Sequence, residues 1–237
     1  MAGNSPVIAA CPPAVNRVPA AEARGFTLLE VAITVAILGV LVALSWSGYS
    51  KTRPRAKLAA TATDIHALIH GARQQALATG HDVSVLFYPA QATGSGTGRV
   101  VEYLDMAGGF MTNTAPPGYP SFCTYDPGAA GAQAPNDVLD TVEIPRQVAI
   151  APPANPVALT FPYNVPQPTT GCSFCGASPN MGAIRFDSRG RATFFSTCGV
   201  PGAFPNGGSI SLTSAELAGS RVLAVTPGGS VRIFDAE

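Results

Sequence analysis

The sequence predicts an α+β fold in which one long N-terminal α-helix packs on a β-sheet-rich C-terminal head. The first half of that helix reads as a membrane segment and the second half as amphipathic. Three patterns point there: an unbroken apolar run near the N-terminus, helical spacing directly after it, and short strand-like stretches separated by turn residues further on. The 237 residues are 46% apolar and 12% charged, with 14 basic against 14 acidic side chains. That composition supports a buried core and excludes a disordered or strongly basic nucleic-acid-binding chain. The 22 prolines concentrate after residue 115, so the C-terminal part is expected to be loops and short strands.

Residues 1–25 are polar, proline-bearing and lightly basic, with Arg17 and Arg24 against Glu22, and read as an unstructured leader. Phe26 to Leu44 then form nineteen residues, FTLLEVAITVAILGVLVAL, with Glu30 as the one charge. This is close to the roughly 20 residues that span a ~30 Å hydrocarbon core, and we assign 26–49 as the membrane segment. An ordinary secretory signal cut near Ala43-Leu44-Ser45 and an uncleaved anchor are the plainer alternatives. Neither accounts for Glu30, since a charge at the centre of a membrane helix costs at least ~2.5–3.5 kcal/mol on insertion scales and so calls for a partner.

Leu58, Ala62, Ile65, Ile69, Ala72 and Ala76 recur every three or four residues, predicting an amphipathic helix that ends near Thr79-Gly80 with glycine in the cap. The whole helical part is placed at 26–80. Pro54 should kink it or delete a hydrogen bond, and Gly39 weakens the membrane half by roughly 1 kcal/mol relative to alanine.

The head is placed at 81–237. Val83, Val85 and Phe87 alternate with Ser84 and Leu86, and Val100 to Leu104 form a second strand, giving a first hairpin. Two more hairpins are expected around Asp187-Ser188-Arg189-Gly190 and Thr226-Pro227-Gly228-Gly229. The span 106–182 holds thirteen prolines and eight glycines in seventy-seven residues and reads as an elaborated loop region, with strands allowed at Val138 to Ile144 and Val157 to Phe161. A specific surface contact and a tolerated insertion are both readings of that region.

Arg24-Gly25-Phe26-Thr27-Leu28-Leu29-Glu30 resembles the prepilin peptidase site of type IV pilins and type II secretion pseudopilins. The resemblance implies a pilin-like fold, cleavage after Gly25, N-methylation of Phe26, and a retained acid at Glu30 that registers the subunit during assembly. Cleavage there creates a cationic amine at Phe26, a natural partner for a carboxylate stranded among apolar helices. The order of helix, ARQQALATG, early strands, FDSRG and a terminal pair around TPGGSVRIF resembles the FimT and GspH group of minor pilins and H-type pseudopilins. The implied partners are a prepilin peptidase, other pilin or pseudopilin subunits through helix packing, and the inner membrane. The implied location is a single pass with the head in the periplasm, and later a pilus or pseudopilus. Lys51, Arg53, Arg55 and Lys57 oppose that orientation by the positive-inside count, but large domains translocate largely regardless of charge.

Of five cysteines, Cys11 falls in the leader, leaving Cys123, Cys172, Cys175 and Cys198. An even count in a periplasmic head suggests two disulfides, with three pairings open. GCSFCG could instead be half of a zinc site or a redox dithiol, although no second C-x-x-C and no βαβ context accompany it. His66 and His70 are four apart on the helix without an H-E-x-x-H motif, and Gly94-Ser95-Gly96 has no helix behind it. No catalytic residue, metal site or cofactor is expected, and no enzyme. DNA capture, a role of some FimT-like proteins, is disfavoured: from His81 onward seven Arg face eleven Asp and Glu, a net −4, although Arg185, Arg189 and Arg191 cluster locally.

Overall fold

The computed structural model describes residues 26–89, 98–112, 114–115, 120–125, 138–153, 155–160, 162–176, 181–197, 200–217 and 219–236. Its class is α+β and pilin-like. Among the described residues one helix, α1 (Leu28–Thr79), is followed by ten strands, and the chain divides into two compact units at Trp46/Ser47.

In the first unit, Leu28–Ser45 is long and apolar enough to cross a membrane, and none of it is buried within the chain. Its hydroxyls are satisfied locally: Thr34 Oγ1 donates to the Val31 carbonyl at 2.9 Å and Ser45 Oγ to that of Leu41 at 2.8 Å. Such bonds remove polar groups that a hydrocarbon surrounding would leave without partners.

In the second unit α1 continues through Pro54 and ends where the spacing predicts. Gly80 adopts a left-handed φ of 71° and its N–H donates to the Ala76 carbonyl at 3.0 Å, a bond that closes the helix. Leu58, Ala62, Ile65, Ile69, Ala72 and Ala76 are all buried, joined by Leu68.

Two antiparallel sheets make up the rest. The first has the order β3-β2-β1-β5-β6-β7, from β1 (Asp82–Tyr88), β2 (Arg99–Asp105), β3 (Val138–Glu143), β5 (Gly182–Phe186), β6 (Ala192–Thr197) and β7 (Val200–Pro201). The second has the order β10-β9-β8-β4, from β4 (Val148–Ile150), β8 (Gly208–Ser214), β9 (Ser220–Val225) and β10 (Val231–Ala236). The three expected hairpins are present as β1–β2, β5–β6 and β9–β10. Register is reinforced by ion pairs between directly opposite residues, Arg99 with Glu143 at 2.7 Å and Arg221 with Asp235 at 2.8 Å.

The apolar stripe of α1 shares one core with the inward residues of both sheets, among them Val83, Val85, Phe87, Ile184, Leu212 and Leu223. Arg73 fixes the helix to two turns at once. Its Nε donates to the Gly190 carbonyl at 3.2 Å, and Gly190 and Gly229, both at positive φ, lie against its side chain. The Ala192 N–H donates to the Pro227 carbonyl at 2.8 Å, joining the two turns to each other.

The loop region departs from expectation in two ways. Alternation alone would leave one face of β1 to solvent, yet Leu86 and Tyr88 are buried as fully as Val85 and Phe87. Phe110, Met111 and Phe122, from the proline- and glycine-bearing stretch after β2, form a second core with Leu86, Tyr88, Val101, Tyr103 and Phe195. Tyr103 stacks on Phe110 at 4.0 Å, while the Phe110 N–H donates to Asp105 Oδ2 at 3.0 Å. Secondly, of Val157 to Phe161, where the sequence allows a strand, Phe161 lies outside the described residues and Val157 to Thr160 is not a strand. Its Val157 carbonyl accepts from Gln167 Nε2 at 2.6 Å, a side chain taking the place of a strand neighbour. The strand expected at Val138 to Ile144 is present as β3.

Candidate functional site

The start of α1 is built by Thr27. Its Oγ1 accepts from the Glu30 N–H at 3.2 Å and its carbonyl from the Val31 N–H at 3.2 Å, so Thr27 is the N-cap and Glu30 the third helical residue. Thr-x-x-Glu is the spacing of a capping box, in which hydroxyl and carboxylate both serve the open N–H groups of the first turn. A carboxylate in that turn also complements the positive end of the helix dipole. Glu30 is exposed, and Phe26 is 80% exposed immediately before the cap. Arg24 and Gly25 lie outside the described residues. The capping role of Thr27 was not drawn from the sequence, although the spacing carries the signal.

Cys172 and Cys175 are bonded to each other, which removes both as thiolate ligands for zinc. The four-residue loop they close drives Phe174 into the core, where it meets Phe87 at 5.6 Å and Phe194 at 5.3 Å between ring centroids. Cys123 is also disulfide-bonded, and Cys198 lies outside the described residues.

The remaining polar candidates are structural in their contacts. The rings of His66 and His70 stack at 6.3 Å, with Gln74 Nε2 and His70 Nδ1 3.2 Å apart, and among the described residues no group of three metal-ligating side chains forms. Gly94-Ser95-Gly96 lies outside the described residues. The arginine cluster is largely neutralised: Arg185 pairs with Asp82 at 3.5 Å and lies over the Phe195 ring, and Arg191 pairs with Asp187 at 3.0 Å. Burial raises the Asp187 carboxyl, but the Arg191 and Arg189 N–H groups and the Arg191 guanidinium outweigh it and hold it below its ordinary value. Asp187 thus organises the FDSRG turn.

A second acidic feature lies between α1 and the β2–β3 edge. Glu102 is 6% exposed on the core-facing side of β2, directly opposite Asp140 on β3. Burial first, and the Asp140 charge second, push its carboxyl up to about 7. The sequence signal was present in V-V-E-Y-L-D, where an acid occupies the inward position between Val100 and Leu104.

Residues 22–46 match the family described as Prokaryotic N-terminal methylation motif. No curated protein and no solved structure matches the chain. The motif supports a type IV pilin-like precursor and implies processing by a prepilin peptidase and assembly with other pilins. With an apolar helix of membrane-spanning length overlapping the match, the N-terminus is type IV prepilin-like and fits a membrane-anchored pilin.

Proposed function

We propose that the chain is a FimT/GspH-like minor pilin or pseudopilin that acts by assembly and not by catalysis. In this reading it is held in the inner membrane by α1 with the head in the periplasm, cut after Gly25 by prepilin peptidase and methylated at Phe26. It then packs through its helix into a type IV pilus or a type II secretion pseudopilus. The observation that carries the reading is the methylation motif at 22–46 running into an apolar helix whose first turn holds Glu30 behind the Thr27 cap. The cut places a new ammonium four residues before that carboxylate. In a helix bundle Glu30 meets the Phe26 amine of its own chain or of a neighbour, and the pair sets the axial register of the subunits. The ion pairs made by Arg185 and Arg191 weigh against DNA capture by the head.

Glu30→Ala separates insertion from assembly. Insertion should be kept or improved, because an expensive charge leaves the apolar run. Incorporation should fall, because stranding one member of a buried ion pair costs ~3–5 kcal/mol. The assay compares processed protein in the membrane with protein in sheared filaments. Wild-type incorporation of the variant would remove Glu30 as the registering contact.

A further inference from the structure

The cleft around Glu102 carries charge that no described residue lining it balances. It has a volume of about 360 Å³, and its carboxylates are Asp64 from α1, Glu102 from β2 and Asp140 from β3. No lysine, arginine or histidine lines it. Among the described residues no hydrogen bond or ion pair reaches the Glu102 carboxylate, and β1 offers only Val85 opposite it. Like charges directly across a strand pair repel, so Glu102 and Asp140 destabilise the sheet as they stand. A cation in the cleft offsets that repulsion by attracting both carboxylates.

The form of the cleft selects the kind of cation. Its acids do not converge in a set of three able to hold a metal ion, which disfavours a compact dication. Ala67, Leu68 and Val142 supply an apolar wall beside the acids. Gly71 leaves the helix side open, with Glu102 Oε2 4.0 Å from where a side chain would begin. An apolar wall leading to carboxylates fits a long side chain with an aliphatic stem and a cationic head. Asp64 and Asp140 are exposed, so the cleft is reached from solvent.

We propose that this cleft is the docking pocket for a lysine or arginine side chain carried on the helix of a neighbouring pilin-like subunit. The proposal rests on the assembly reading given above. This chain shows the chemistry required of such a neighbour, since Arg53 and Arg55 are exposed on α1 just after the apolar run. They stand nine to eleven residues before Asp64, or about 14–17 Å along the helix at 1.5 Å per residue. Parallel helices staggered by that distance bring one subunit's basic turn beside the next subunit's acidic cleft.

The test places a benzoylphenylalanine photo-crosslinker at Ala67 of the full chain in its native membrane, with and without the substitutions Glu102→Gln and Asp140→Asn. The expected product joins Ala67 to a lysine- or arginine-bearing helical peptide of another subunit. Its yield should fall about tenfold or more when both charges are removed, in keeping with loss of a buried pair. The substitutions preserve volume, and protease resistance of the head reports that the variant is folded. Crosslinks confined to the same chain, a partner peptide without a basic residue, or a yield indifferent to the charges would overturn the proposal. A chain present in sheared filaments without the crosslink sinks the pocket alone. A chain absent from filaments, crosslinked to a basic peptide of an unrelated protein, sinks the assembly reading and with it the choice of partner.

Discussion

Replacing Glu102 by glutamine should stabilise the isolated chain, and only above a definite pH. The carboxyl ionises at about 7 in the folded head against an ordinary value of 4.5. Below pH 4.5 it is neutral whether the head is folded or not, and it has no effect. Between 4.5 and 7 the folded state holds a proton that the unfolded state has released, so stability falls as pH rises. The loss is complete above pH 7, and at ~1.4 kcal/mol for each pH unit between the two values it amounts to about 3 kcal/mol. Glutamine keeps the shape and removes the charge, so Glu102→Gln should match the wild type near pH 4 and exceed it by about that amount at pH 8. For a head of this size the gain corresponds to roughly 6–12 °C in Tm. The assay is urea denaturation of the full chain in detergent, followed by near-ultraviolet circular dichroism of the Tyr88, Tyr103 and Tyr125 cluster. Wild-type and variant curves that stay parallel from about pH 4 to 8, or a variant less stable at pH 8, would refute the reasoning.

Three further outcomes are expected. Mass spectrometry of membrane-extracted protein should find the mature chain starting at Phe26; a terminus at Trp46 would favour an ordinary secretory signal. Thiol labelling of the denatured mature chain, made in an oxidising compartment, should find no free cysteine, and four reactive thiols or stoichiometric zinc would defeat that expectation. Gly229→Ala should cost about 1–3 kcal/mol in denaturant titration, because φ is 76° there and a methyl group would stand 2.8 Å from Arg73 Cδ; unchanged stability would remove the Arg73 contact as a constraint on the turn.

The sequence by itself determined the helix and the hairpins, because their causes are local. The three-to-four spacing from Leu58 to Ala76 dictates which face of α1 is buried, and Gly80 supplies the left-handed residue that ends it. Asp187-Ser188-Arg189-Gly190 and Thr226-Pro227-Gly228-Gly229 contain the turn chemistry their hairpins need. The Thr27 to Glu30 cap was equally local in its spacing.

What only the tertiary structure decided is what covers each strand. β8, GSISLTS, alternates Ile210 and Leu212 with hydroxyl residues as a half-buried strand would, yet it lies inside the second sheet with Ser209 and Ser211 fully buried as well. The Ser209 hydroxyl donates to the Pro166 carbonyl, a group forty-three residues away in the chain. Val157 to Thr160 has strand-like residues but no strand neighbour, since a glutamine side chain takes its first carbonyl. The aromatic cover over the first sheet comes from a stretch whose glycines and prolines signal loop, because breakers prevent regular hydrogen bonding without preventing side-chain burial. Glu102 follows the same logic. Alternation turns it toward the core, but the register of β3 brings Asp140 opposite, and α1 lines the cleft beside both. Local spacing fixes which way a side chain points, whereas its partners, and hence its charge state, depend on residues brought together from distant parts of the chain.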